Sequence, residues 1–269
     1  MFFRSFEHNQ VYHPGRTLAA GARDLNRPCE DVFFEASDGV KLNAWFFPAE
    51  TNSPRKHLAL LFCHGNGGNI SHRLDVYEAL LETGIAVLAL DYRGYGLSGG
   101  RPSEEGTYRD AQAAHAWLRQ KGFAGTNVIS YGESLGGAIA SELCRRETTG
   151  GLILQSTFTS IPDIGAELYP WLPVRLFSRI RYDTHRRLPQ LRIPVLILHS
   201  REDNLVGYRH SESNFAVANE PKLFCELQGG HNDPLADRRG FIAAIEKLLG
   251  LMEGSGQQLQ TNPPLLPPL

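Results

Sequence analysis

Cysteine is scarce in this chain of 269 residues. Only Cys29, Cys63, Cys144 and Cys225 are present, widely separated, with no C-x-x-C pair. That pattern excludes a disulfide scaffold. Cys63 and Cys225 lie inside apolar runs, where a thiol behaves as a small hydrophobe. The expected state is therefore free thiols in a reducing compartment, and the chain reads as cytoplasmic. Charge of one sign is not in excess either. Lys+Arg number 27 and Asp+Glu 29, a net charge of −2, which leaves no overall electrostatic footprint for nucleic acid. Long apolar runs are missing as well. The longest, such as residues 58–63 and 195–198, are strand-length, far short of the roughly 20 residues of a membrane span. The opening eight residues lack the unbroken apolar stretch of a secretory signal.

What is present is the composition of an ordinary globular protein, 42% hydrophobic and 21% charged, long enough to bury a full core. After an N-terminal arm (1–30), residues 31–36 and 41–47 flank Ser37-Asp38-Gly39, a turn signal that favours a hairpin. From residue 58 onward strands alternate with helices. Strands are expected at 58–63, 85–90, 128–131, 152–154, 195–199 and 223–227. Helices are expected at 71–83, 104–121, 135–146 and 237–252. Such alternation implies a mainly parallel sheet wrapped by helices on both faces. The core is thus assigned to 31–155 and 193–252. Residues 156–192, rich in proline, aromatics and arginine, break the rhythm and form an insertion. Residues 253–269, rich in Gly, Gln and Pro, read as a disordered tail.

The strongest chemical signal is Gly132-Glu133-Ser134-Leu135-Gly136, between an expected strand and an expected helix. In that context G-x-S-x-G makes a sharp turn that displays the serine hydroxyl at a helix N-terminus, where the helix dipole favours developing negative charge. A serine hydroxyl needs a base, and the base needs an acid to fix its tautomer. Asp203 follows one strand and His231, in Gly229-Gly230-His231-Asn232, follows the next. In a parallel sheet both reach the edge that carries Ser134. Asp163, Asp183 and Glu202 compete for the acid role, and His185 and His210 for the base; strand context favours Asp203 and His231.

Together with His64-Gly65-Asn66-Gly67-Gly68-Asn69 and Asp91-Tyr92-Arg93-Gly94-Tyr95-Gly96, these residues resemble the α/β-hydrolase superfamily over roughly residues 32–251. More narrowly, the chain resembles the lipase-like serine esterases grouped with the α/β-hydrolase-domain proteins, some of which remove palmitoyl groups from proteins. The resemblance implies an α/β-hydrolase fold with a short cap, here 156–192. It also implies an oxyanion hole made by the backbone N–H of Leu135 and of Asn66, with Gly65 as the alternative to Asn66. His64 and Arg93 read as loop-shaping residues. The chain departs from the pattern at Ser200, where relatives have glycine, and at Val206-Gly207, where they have Val-Pro. Many relatives carry an N-terminal apolar anchor before the first strand, and none is expected in the arm here, which reads Asn9-Gln-Val-Tyr-His-Pro-Gly.

Within the cap, Phe158, Tyr169, Trp171 and Phe177 are candidates to line an acyl pocket, as Gly65 is on the loop opposite. Six arginines face one aspartate in residues 170–192, which makes the cap a candidate for transient contact with a lipid surface. The expected activity is a serine esterase acting on a small-molecule acyl ester, with no metal and no organic cofactor. An acyl-thioesterase or lysophospholipase is the alternative within hydrolases, and a non-catalytic binding protein of the same fold the alternative outside them.

Overall fold

The computed structural model describes the backbone of residues 2–260 and the side chains of residues 5–254. Ahead of the expected core the arm is ordered. Helix α1 (Phe2–Val11) leads into the two-residue strand β1 (His13–Pro14). The hairpin is β2 (Glu30–Glu35) and β3 (Lys41–Phe47), antiparallel with Glu35 opposite Lys41. Gly39 takes φ +78° in its turn, a left-handed conformation that suits a residue without Cβ.

The parallel part follows as β4 (Ala59–Cys63), the two-residue β5 (Gly67–Gly68), α2 (Leu74–Leu81), β6 (Ala86–Asp91), α3 (Glu104–Gln120), β7 (Val128–Glu133), α4 (Leu135–Arg146) and β8 (Gly151–Gln155). The insertion folds as three short helices, α5 (Ile161–Leu168), α6 (Val174–Phe177) and α7 (Thr184–Arg187). The chain then returns through β9 (Val195–Ser200), α8 (Arg209–Val217), β10 (Lys222–Leu227) and α9 (Arg238–Gln260). The main sheet has the order β10-β9-β8-β7-β4-β6-β3-β2, and β1 pairs with β5 in a separate two-stranded ribbon. From β10 to β6 all neighbours are parallel; β3 and β2 join antiparallel.

The alternation of side chains across β4 builds the core on both sides. Leu60 and Phe62 pack with Tyr77, Tyr131 and Phe241 on one face, whereas Ala59, Leu61 and Cys63 pack with Leu88, Leu90 and Ile139 on the other. The Phe62 and Tyr131 rings stack with centroids 4.7 Å apart. Each such large apolar side chain contributes roughly 1.5–3 kcal/mol by leaving water. A strand covered on both faces has no polar alternation, which is why 58–63 is a continuous apolar run.

Two expectations differ in detail, and one helix was not foreseen. The stretch 71–83 is a single 3-10 turn (Ile70–His72) followed by the shorter α2. Helix α8 has a weak apolar stripe and is not marked by periodicity. The closing helix continues to Gln260, past the expected start of the tail, and residues 261–269 lie outside the described residues. All four cysteines are free; Cys63 is buried and the other three are half-buried, Cys225 on the edge strand β10 among them. Burial pushes the Cys63 and Cys144 thiols up to about 12, so neither offers a thiolate.

Candidate active site

Ser134 sits between β7 and α4 at φ +51° and ψ −113°. Few residues with a Cβ adopt that conformation, and the surroundings enforce it. The Ser134 N–H donates to the Gln155 carbonyl at 2.8 Å, and its own carbonyl accepts from the Gly137 N–H at 3.0 Å. One hydrogen bond ties the turn to the neighbouring strand and the other begins the helix. The two flanking glycines are required by packing. A Cβ on Gly132 would collide with the Gly136 carbonyl and the Gly137 backbone, and one on Gly136 with the carbonyl oxygens of Cys63 and His64.

Asp203 and His231 meet as expected. The loops after β9 and β10 bring them to the sheet edge that bears Ser134, and the His231 Nδ1 donates to Asp203 Oδ2 at 2.7 Å. An ionised carboxylate only accepts, so Nδ1 carries the proton and Nε2 is left as a base. Asp203 is surrounded by donors. Its Oδ1 accepts the N–H groups of Leu205 and Val206 at 2.9 and 2.8 Å. Burial raises the carboxyl's pKa, but the hydrogen bonds from His199, His231 and Val206 outweigh it and hold Asp203 well below the usual carboxylate range.

His199 is a partner the sequence reading passed over. Its Nε2 lies 2.8 Å from the Val206 carbonyl and 3.2 Å from Asp203 Oδ2. Both are acceptors, so Nε2 carries hydrogen, and Nδ1 accepts from the Ser211 hydroxyl of α8. The signal available in the sequence was a histidine inside an otherwise apolar strand, four residues before the acid. The competing residues have other tasks. Asp163 accepts from the Thr159 and Ser160 hydroxyls in the first turn of α5, which Ser160 caps. Asp183 caps α7, Glu202 accepts the Gly229 N–H, and His210 binds Thr159 and approaches Glu167.

The depressed Asp203 carboxyl has a consequence for stability. It contributes above the unfolded carboxylate pKa of about 3.9, and the contribution is lost as the pH falls below that value toward the folded one. Asp203→Asn is therefore expected to flatten the acid limb. Between about pH 5 and 3, the Tm of the wild-type protein should fall more steeply than that of the variant in parallel thermal melts.

The loop after β4 faces the serine turn. Its shape comes from His64, which is fully buried, donates from Nδ1 to the Gly65 carbonyl at 2.7 Å and sets Nε2 3.2 Å from Asp91. Because the peptide is trans, anchoring the Gly65 carbonyl on His64 turns the Asn66 N–H the opposite way. The Asn66 carbonyl accepts from the His13 N–H at 3.0 Å and the Tyr95 hydroxyl at 2.8 Å. Leu135 is the first residue of α4, so its N–H has no acceptor within the helix. Glu133 clamps the same loop. Its carboxylate meets Arg73 through two contacts, of 3.0 and 3.1 Å, while Arg73 also donates to the Gly67 and Asn69 carbonyls. Burial disfavours the Glu133 charge, but Arg73 overcomes this and lowers its pKa. Arg93, farther along, forms ion pairs of 2.8 Å with both Asp38 and Asp110.

Ser134, Leu135 and Asn66 open onto a cavity of about 400 Å³ whose walls are mostly apolar: Phe6, Val11, Phe158, Ile164, Leu168 and Val174. Of the cap candidates, Phe158 and Tyr169 line it. Trp171 and Phe177 do not; they are 76% and 56% exposed on the outer side of the cap. Gly65 is also absent from the wall and packs toward Glu133. One whole wall was not foreseen. It is α1, pinned to the cap where Glu7 accepts from the Ser178 hydroxyl and the Arg179 and Ile180 N–H groups, and Gln10 from the Tyr169 hydroxyl. Among the described residues no group of His, Cys, Asp and Glu is placed to hold a metal ion.

A family model described as serine aminopeptidase, S33 (Hydrolase_4), matches residues 54–182. The chain is 34% identical over 254 residues to the alpha/beta hydrolase domain-containing protein WAV2 of Arabidopsis thaliana, covering 84% of this chain and 81% of that protein. It belongs to the α/β-hydrolase superfamily. The uncharacterized protein Rv2307c of Mycobacterium tuberculosis is 38% identical over 252 residues, 93% of this chain and 89% of that one. Among solved structures, the Pyrococcus furiosus esterase Pf2001 superposes with a TM-score of 0.72 at 20% identity, over 91% of this chain and 98% of its own. The protein is thus a hydrolase of the α/β family. In this α/β-hydrolase, no helix among the described residues is long and apolar enough to cross a membrane.

Proposed function

We propose that this α/β-hydrolase is a serine esterase that cleaves carboxylic esters with an apolar acyl group through an acyl-enzyme intermediate. The observation that carries the reading is the strained Ser134 turn, at the same sheet edge as a hydrogen-bonded Asp203–His231 pair and opening onto an apolar cavity. The fold likeness to an esterase supports it. Ser134 Oγ attacks the ester carbonyl while His231 Nε2 takes its proton. The oxyanion that forms is met by the N–H groups of Leu135 and Asn66, each such donor being worth roughly 10²–10³ in turnover. The tetrahedral intermediate expels the alkoxide, which leaves with the proton from His231 as an alcohol. Water, deprotonated by His231, then releases the carboxylic acid and restores the serine. Asp203 stays ionised throughout and stabilises the imidazolium, and His199 helps hold its oxygen in place.

The apolar walls favour acyl chains over peptide side chains, and a thioester would enter the same machinery. The test is covalent labelling by a fluorophosphonate, which requires an activated serine. Stoichiometric labelling at Ser134, blocked by Ser134→Ala and strongly slowed by His231→Ala, is the expected result. An unreactive Ser134 in folded protein would instead make the cavity a non-catalytic binding site.

A further inference from the structure

The outer face of the cap is apolar where a globular surface is ordinarily polar. Leu176 is 82% exposed, Trp171 76%, Phe177 56%, Leu168 48% and, across the cavity mouth, Leu205 42%. Scattered exposed apolar residues need no explanation, but these come from one stretch of ten residues and the rim facing it. Leu168 and Leu205 also line the cavity, so the exposed apolar surface runs into the cavity wall. The Trp171 ring stands edge-on to Tyr169, and Tyr169 edge-on to Phe6 of α1, each with centroids 6.3 Å apart. Aromatic surface therefore continues from solvent to the α1 wall.

Charge sits in the same stretch. Arg175, Arg179, Arg181 and Arg186 are exposed, whereas Arg187 turns inward to a 2.7 Å ion pair with Glu142. The nearest acids of the cap are already engaged. Asp163 meets Arg175 at 3.2 Å, Glu167 meets Arg209, and Asp183 caps α7. Exposed Trp and Leu bordered by arginine match the chemistry of a bilayer interface, with an apolar layer beneath anionic headgroups.

We infer that the cap's outer face is a docking surface for an anionic lipid bilayer, placing the cavity mouth where an amphiphilic acyl ester can enter from the membrane. Entry of substrate rests on the esterase reading; docking does not. The experiment separates the two by using Ser134→Ala protein with vesicles of phosphatidylcholine, alone or mixed with phosphatidylglycerol.

At low salt the protein is expected to sediment with the phosphatidylglycerol vesicles, and the Trp171 fluorescence to shift to the blue. The other two tryptophans, Trp45 and Trp117, are buried and half-buried, so Trp171→Phe should abolish the shift. Leu176→Asp should weaken sedimentation by about tenfold or more. Arg179→Ser with Arg186→Ser should remove the preference for the anionic lipid. Both variants should keep the wild-type circular dichroism spectrum and Tm, which shows that they fold.

Equal recovery with and without vesicles overturns the inference, as does binding that Leu176→Asp leaves unchanged. So does a dimer in sedimentation velocity that Leu176→Asp dissociates, in a protein that ignores vesicles; the face would then be covered by a second copy of the chain.

Discussion

Replacing Ser134 by alanine is expected to lower turnover of p-nitrophenyl esters by about 10⁴-fold or more, with the fold intact. The two backbone hydrogen bonds that hold the turn, to Gln155 and from Gly137, involve no side-chain atom of Ser134. On the proposed esterase mechanism, what is lost is the attacking oxygen. The remaining oxyanion donors and the cavity then supply only the background rate of a binding site. Measured across esters from acetate to palmitate, the rate that disappears in the variant also reports the preferred chain length. A Ser134→Ala rate within tenfold of wild type on the best ester would sink the esterase assignment.

The glycine variant sharpens the argument. At φ +51° and ψ −113° a residue with Cβ carries strain of about 1–3 kcal/mol. Ser134→Gly relieves it and gives back roughly 0.4–1 kcal/mol through the freer unfolded chain. Its Tm should therefore equal or exceed that of Ser134→Ala, with activity equally absent.

The largest effect on stability is expected from Gly136→Ala. A Cβ there would fall on the backbone carbonyl of Cys63 and 2.7 Å from that of His64. Neither can rotate away, because Cys63 ends the central strand β4 and the His64 carbonyl is held by the Tyr92 hydroxyl at 2.9 Å. The first turn of α4 must move outward instead, carrying Ser134 with it. We expect a loss of about 4 kcal/mol or more, seen as a drop in Tm of about 10 °C at 2–4 °C per kcal/mol, together with loss of activity. Gly250→Ala is the matched control. It lies on α9 with nothing within 4 Å of its Cβ position, so helix propensity alone should hold or slightly raise the Tm. A Gly136→Ala protein as stable as Gly250→Ala would mean that α4 does not approach β4 as closely as described.

The contrast between these glycines shows how the site could be read from sequence. Around Ser134 the information is local. Strand, turn and helix follow within twenty residues, and the two glycines are needed by contacts that the turn itself creates. Asp203 and His231 were legible for a related reason, since each follows a parallel strand that a short apolar run announces, the buried β9 before Asp203 and the half-buried edge strand β10 before His231. His199 was harder. A histidine in a strand has many packing roles, and only the fold brings Ser211, Val206 and Asp203 around it.

The cap divides differently. Its boundaries follow from the break in strand–helix rhythm, but the direction of each aromatic does not. Phe158 is buried because it follows β8 directly into the core, whereas Trp171 and Phe177 lie on or before a helix of a single turn with too little partner surface to bury them. Nor did periodicity reveal the role of α1. An isolated ten-residue helix is marginal in water, and this one is held by Glu7 and Gln10 reaching a segment some 160–170 residues away.

The sequence by itself determined the α/β class, the order of the strands in the chain, the strand–turn–helix around Ser134 and the arrival of Asp203 and His231 at one sheet edge. Each of these depends on local periodicity, turn chemistry or the handedness of parallel connections, which neighbouring residues encode. The tertiary structure decided what surrounds Ser134: the α1 wall of the cavity, the His199 support of Asp203, the Arg73–Glu133 clamp on the Asn66 loop and the outward turn of Trp171. Those contacts join residues from 4 to more than 150 positions apart, and their formation depends on how whole elements pack, which no window of sequence contains.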